Sequence, residues 1–151
     1  MIVSFRDKGA FFDRQAIIDA VGAANARNLS KAGSFVRRGA RSSLRRRKKP
    51  SAPGSPPSVH TNHRVATLKS IWFVLDRSRL SVVIGPVRLN GRSLLGSDRG
   101  TVPELMELGG SATLEKRKKR RRVRYSPRPF MGPALQRELP KFEGLWANSV
   151  K

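Results

Sequence analysis

Apolar and small residues recur at steps of three and four in the first third of the chain. Ile18, Val21, Asn25, Leu29, Ala32, Val36 and Ala40 fall on one stripe, the repeat of an amphipathic helix. Asp13 stands before it as an N-cap, and good helix formers run from Gln15 to Leu44. Ala20, Ala23, Ala24, Ala26, Ala32, Gly33, Gly39 and Ala40 would let another element approach closely. Gly22, Gly33 and Gly39 each cost about 1 kcal/mol relative to Ala in a helix interior. A break or bend near Gly33 or Gly39 is therefore expected.

Beyond Pro57 the period changes. Lys69 to Asp76 and Leu80 to Gly85 are rich in β-branched and aromatic residues, with Arg77-Ser78-Arg79 as a hairpin connection. Val87 to Gly100 holds Asn90-Gly91, Gly96 and Gly100 and reads as loop. Pro103 opens a short helical turn through Leu108, and Gly109-Gly110 ends it. Ser111 to Glu115 and Arg121 to Tyr125 read as a second strand pair around a basic turn, 116–122. Pro133 to Leu139 reads as a short helix, and Leu145 and Trp146 as a cap on an apolar face. Pro50 to Pro57 excludes both helix and central strand. With the segment to Arg64 it forms an extended proline-rich arm.

The pattern predicts an α+β fold: a long N-terminal helix packed on a small antiparallel sheet of about four strands, a proline-rich extended arm and a short C-terminal helix. One domain spans 13–139, with tails at 1–12 and 140–151. No internal repeat is visible.

Composition narrows the classes. The chain has 151 residues and no cysteine, which excludes a disulfide framework, a thiol nucleophile and a zinc ribbon. Ile71-Trp72-Phe73-Val74-Leu75 is far short of the roughly 20 apolar residues of a spanning helix. Met1 to Lys8 carries Arg6 and Asp7 and lacks an apolar signal core. The expectation is a reducing compartment and no membrane partner.

Charge is the strongest signal. Lys and Arg number 32 against 10 Asp and Glu, a net +22, where small domains commonly carry a magnitude of about 2–8. One block is Arg37, Arg38, Arg41, Arg45, Arg46, Arg47, Lys48 and Lys49; on a helix Arg37, Arg41 and Arg45 share a stripe. The other is Lys116, Arg117, Lys118, Lys119, Arg120, Arg121, Arg122 and Arg124. Both are candidate contacts to an anionic partner, nucleic acid or acidic protein, against the alternative of a solvated face. Tyr125 and Phe130 are too few for a base-stacking platform. Trp72 and Phe73 suit the core, or one of them an interface.

Catalytic chemistry is not indicated. His60 and His63 lack further ligands, so no metal or cofactor is expected. Neither a nucleophile elbow nor a phosphate-binding loop occurs, and Glu104 and Glu107 have no evident acid–base task. Pro50, Pro53, Gly54, Pro56 and Pro57 form either a passive linker or an intersubunit strap, because proline lowers the ordering cost of a docked arm.

The order of segments carries a resemblance. Ala32 to Leu44 leads into the basic cluster and the Pro-Gly-x-Pro-Pro segment at 53–57. Glu-x-Gly-Gly follows at 107–110, then Arg-Pro-Phe-x-x-Pro-Ala at 128–134. Across about residues 13 to 139 this resembles a family of small neck proteins of tailed bacteriophages, the tail-completion or head–tail joining proteins. The resemblance implies a structural virion protein without catalytic residues. It implies a ring, hexameric by the tail's usual symmetry, between the head-closure or adaptor protein and the tail terminator or tail tube, around the channel crossed by packaged DNA. Localisation would be the virion neck, and the host cytoplasm during assembly. The alternative is a general nucleic-acid-binding protein of ribosomal or nucleoid type. A membrane-active role fits poorly, because the basic helix lacks a bulky apolar face.

Overall fold

The computed structural model describes residues 14–60, 66–87, 89, 101–116, 119–147 and 149. Asp13, His63 and most of the 87–100 loop lie outside these residues. In chain order the elements are α1 (Arg14–Ser43), β1 (Ile71–Asp76), β2 (Ser81–Pro86), α2 (Val102–Leu108), β3 (Gly110–Lys116), β4 (Lys119–Tyr125), α3 (Met131–Glu138), a 3-10 turn (Leu139–Lys141) and α4 (Glu143–Trp146). The fold is α+β. The four strands of the described residues form two separate antiparallel pairs, β1–β2 and β3–β4, in place of the one small sheet expected.

Helix α1 has 30 residues, about 45 Å at 1.5 Å per residue. It runs through Gly33 and Gly39 as one helix, so of the expected break or bend there is no break. The reason is packing. Both glycines are buried, and a Cβ on Gly33 would sit 2.9 Å from both Phe73 Cδ2 and Val82 Cγ2. Glycine here admits the sheet to the helix, and the close packing this allows outweighs the lower helix propensity. The final turn is closed by Ser42 and Ser43, whose hydroxyls donate to the Gly39 and Ala40 carbonyls at 2.9 and 2.7 Å.

The buried stripe of α1 is Ala24, Asn28, Ala32, Gly33, Val36, Gly39 and Ala40. The predicted stripe holds for Ala32, Val36 and Ala40. It fails nearer the N-terminus, where Ile18 and Val21 are exposed. The buried positions of α1 begin at Ala24, and nearer its N-terminus Ile18, Asp19 and Gly22 line an open groove with Leu75, Arg77 and Leu80. Asn25 is half-buried, and its Oδ1 accepts from Trp146 Nε1 at 2.8 Å. The expected C-terminal tail is thus ordered through Trp146, as the 3-10 turn and α4, and α4 packs on α1.

The core gathers Ala40, Leu44, Val59, Ile71, Phe130 and Ala134, with Leu68, Ile84, Met106 and Met131 against it. β1 and β2 pair Phe73 with Ile84 and Leu75 with Val82 on the face toward α1, and Trp72 with Gly85 and Val74 with Val83 on the other. Asp76 shapes the turn. Its Oδ1 accepts from the Ser78 hydroxyl at 2.6 Å and from the Ser78 and Arg79 N–H groups at 3.0 and 3.1 Å. These bonds hold its carboxyl below the usual aspartate pKa, the Ser78 hydroxyl contributing most. The turn closes with Leu80 at φ 46°.

The second pair is longer than predicted. Its register runs from Gly110 opposite Tyr125 to Lys116 opposite Lys119. The stretch expected as a basic turn is therefore largely strand, and only 117 and 118 lie between β3 and β4. Basic side chains reach into water from both faces of an extended strand, so the charge run does not oppose pairing.

Candidate polyanion-contacting surface

The two basic blocks occupy different scaffolds. In the first, Arg37 is half-buried: its Nε donates to the Ile71 carbonyl at 2.7 Å and its guanidinium lies 5.4 Å from the Trp72 ring centroid. Arg37 thus ties α1 to β1 and shields one side of an otherwise exposed indole. Arg38 and Arg41 are exposed beside it. With Ser34, Ser42 and Lys69 these three arginines line an open groove of ≈510 Å³. Because α1 ends at Ser43, Arg45 leaves the predicted stripe with Arg37 and Arg41. Arg45 and Arg46 are exposed, as are Lys48 and Lys49.

Arg47 has an internal task. Its N–H donates to Ser58 Oγ and its Nη1 to the Pro56 carbonyl, each at 2.9 Å. The proline-rich segment is held against its own chain by this and by further bonds. Val59 N–H donates to the Arg45 carbonyl at 3.2 Å, Gly54 N–H to the Pro127 carbonyl at 2.8 Å and Arg128 Nε to the Ser51 carbonyl at 3.1 Å. Pro57 is buried, Pro56 is half-buried, and Pro50, Pro53 and Gly54 keep exposed surface. The strap is intramolecular, with exposed corners.

Gly54 bonding to Pro127, and Ser51 to Arg128, brings the first block beside the end of β4. A groove of ≈360 Å³ there is lined by Arg47, Lys48, Lys49, His60 and Arg128, together with Pro50, Ser51, Pro57, Ser58 and Met106, and holds no carboxylate. Sequence reading does not place Arg128 with the first basic block. The convergence depends on a contact across 77 positions that no local pattern reports. Ser51 Oγ is buried there without a hydrogen-bond partner.

The second block lies on the β3–β4 ribbon. Lys119, Arg120, Arg121, Arg122 and Arg124 are all exposed, whereas Val123 and Tyr125 are half-buried and Ala112, opposite Val123, is buried. Lys116 belongs to β3, and Arg117 and Lys118 lie outside the described residues.

The base of this ribbon is a joint that sequence reading missed. Glu107, in the last turn of α2, reaches the start of α3. Its Oε2 accepts from the Phe130 and Met131 N–H groups at 2.8 and 3.1 Å, and its Oε1 from Gly132 at 2.8 Å. A carboxylate on three otherwise orphaned amides satisfies the helix start and complements its dipole. The Arg128 N–H donates to the Met106 carbonyl at 2.7 Å. Gly109, at φ 75°, sits so close that a Cβ would lie 2.9 Å from Pro127 N. Glu-x-Gly-Gly and Arg-Pro-Phe-x-x-Pro-Ala therefore form the two sides of one clasp. α2 itself starts in a capping box: Thr101 accepts from the Glu104 N–H, and Glu104 from the Thr101 N–H.

Comparison with protein-family models, with curated proteins and with solved structures returns no match.

Among the described residues no group of three or more His, Asp or Glu is placed to hold a metal ion, and no helix is long and apolar enough to cross a membrane. The surface offers closely set cations around a groove and along a ribbon, which suits electrostatic contact with an extended anion.

Proposed function

We propose that this chain is a structural subunit of the phage neck: one copy of a ring that joins the head-closure side to the tail around the DNA channel, without a catalytic role. The observation that carries the reading is the outer face of the β1–β2 pair. Trp72, Val74 and Val83 stand there 62%, 67% and 69% exposed, on a pair whose other face is already occupied by α1. A two-stranded pair is marginal alone, and an apolar face of this kind marks a surface to be covered. In the ring it is covered by the next copy. The clasp supports the same reading. The two motifs behind the resemblance meet in a joint that positions elements, and its carboxylate is engaged by three backbone amides. The proposed ring also explains tolerance of a +22 charge, because acidic neighbours or DNA phosphates balance it.

The test is electron microscopy of particles assembled without this chain. Filled heads beside unattached tails are expected; complete virions would overturn the reading. A second reading, a general nucleic-acid-binding protein, draws on the convergence of Arg47, Lys48, Lys49 and Arg128 in one groove. It predicts association with nucleic acid in cells that contain no virion.

A further inference from the structure

We propose that the β3–β4 ribbon is a duplex-DNA-binding element that enters the major groove and contacts phosphates on both sides, with the groove at its base extending the contact. The proposal rests on the neck reading for the source of the DNA, which is the genome crossing the joint.

Four observations converge. First, the element has the right form: a major groove about 12 Å wide admits a two-stranded β-ribbon. Second, β4 carries cations on both faces. The register sets Arg122 and Arg124 opposite Thr113 and Ser111 on one face, while Lys119 and Arg121 belong to the other. Side chains on one face recur about every 6.7 Å, a regular comb suited to a regular line of phosphates. A ribbon docked on an acidic protein would use one face; a ribbon in a groove meets a wall of phosphates on each side. Third, Arg122 and Arg124 are exposed and, among the described residues, take no part in an ion pair. Fourth, the carboxylate-free groove continues the positive surface past the base of the ribbon, through Arg128 and Lys48. Phosphate contacts of this kind give affinity without base preference.

The test uses the purified full chain and a labelled DNA duplex of about 20 base pairs, with affinity followed against salt; each phosphate contact contributes about 0.9 to the slope of log K against log salt. Arg122→Ala with Arg124→Ala is expected to flatten the slope by about 1.8, which is about 30-fold weaker binding at 0.15 M salt if the 1 M affinities agree. Arg122→Lys with Arg124→Lys should keep the slope. Circular dichroism verifies that the variants are folded. Double-stranded RNA should bind more weakly, because its major groove is too deep and narrow for side chains to read. An unchanged slope, equal affinity for the RNA duplex, or displacement of DNA by polyglutamate at equal charge would each overturn the proposal. Failure here and failure of the neck reading are distinguishable. A chain without DNA affinity that is still required for joining overturns the ribbon proposal alone. A chain that binds DNA as described but is dispensable for virions overturns the neck reading alone.

Discussion

The same substitution at two positions of α1 should have opposite signs. Gly22 and Gly33 are both interior to the helix, so replacing either with Ala adds about 1 kcal/mol of helix propensity. At Gly22 a Cβ meets nothing within 4 Å, and the benefit stands. At Gly33 it would lie 2.9 Å from Phe73 Cδ2 and from Val82 Cγ2, and 3.1 Å from Phe73 Cγ. Carbon pairs prefer about 3.5–4.0 Å, so the β1–β2 pair has to retreat from α1 along the surface that holds it. Overpacking of this kind typically costs about 1–3 kcal/mol. The upper half applies here, because two side chains from paired strands resist together. Gly33→Ala is then a net loss of about 1 kcal/mol, and the two variants differ by about 2 kcal/mol. In a chain of this size that separates their midpoints by roughly 4–8 °C. Thermal and urea melts followed at 222 nm measure it. Val82→Ala supplies the internal check: it should cost less in the Gly33→Ala background than alone, a coupling of at least about 0.5 kcal/mol. If Gly33→Ala is as stabilising as Gly22→Ala, or if the cycle shows no coupling, the close helix–sheet approach is wrong.

Other expected outcomes concern the clasp, the turn, the apolar face and assembly. Glu107→Ala should cost about 2–3 kcal/mol, because a charged acceptor is worth about 1.5–3 kcal/mol and several amides lose it at once; a melt within about 0.5 kcal/mol of the parent would refute the clasp. Asp76 has a folded pKa below its unfolded value of 3.8, so its contribution is complete above that value and is lost as the pH falls through the lower, folded one. Amide exchange at Ser78 and Arg79 should therefore rise only in strong acid, while Asp76→Asn shows raised exchange at neutral pH. Val74→Thr and Val83→Thr should change stability by no more than about 0.5 kcal/mol, as surface substitutions do, yet lower incorporation into particles; normal incorporation would remove this face from the ring interface. The isolated chain should be monomeric at low salt, because like charges oppose ring closure until an acidic template is present; stable rings of pure protein in light scattering would contradict this.

The legible parts of the fold were the local ones. The α1 repeat was readable because small and apolar residues recur every three or four positions. Gly109 was readable as a helix stop and Pro103 as a helix start because each acts through its own backbone. The β1–β2 pair was readable from its β-branched residues. Three things were not. Gly33 looked like a helix breaker because its benefit belongs to Phe73 and Val82, some 40 and 49 positions away. Glu107 looked idle because the amides it caps begin 23 residues later. The basic groove was invisible because Arg128 joins Arg47 only once Gly54 and Ser51 are bonded to the chain after β4. The charge runs gave the composition of the surface. Partition between a tethering role (Arg37, Arg47) and an outward one (Arg122, Arg124) depended on tertiary contacts.

The clasp at Glu107 has an engineering consequence. Gly109 and Pro127 are pinned side by side, and between them the ribbon stays seated at its base through Ala112, Val123 and Tyr125. Material spliced into the far end of this ribbon, at 117 and 118, would add only the slowly growing entropy of a longer closed loop. The outer part of the ribbon is thus a cassette: its length and charge can be exchanged while Ala112, Val123 and Tyr125 keep its base seated and Glu107 keeps α2 joined to α3.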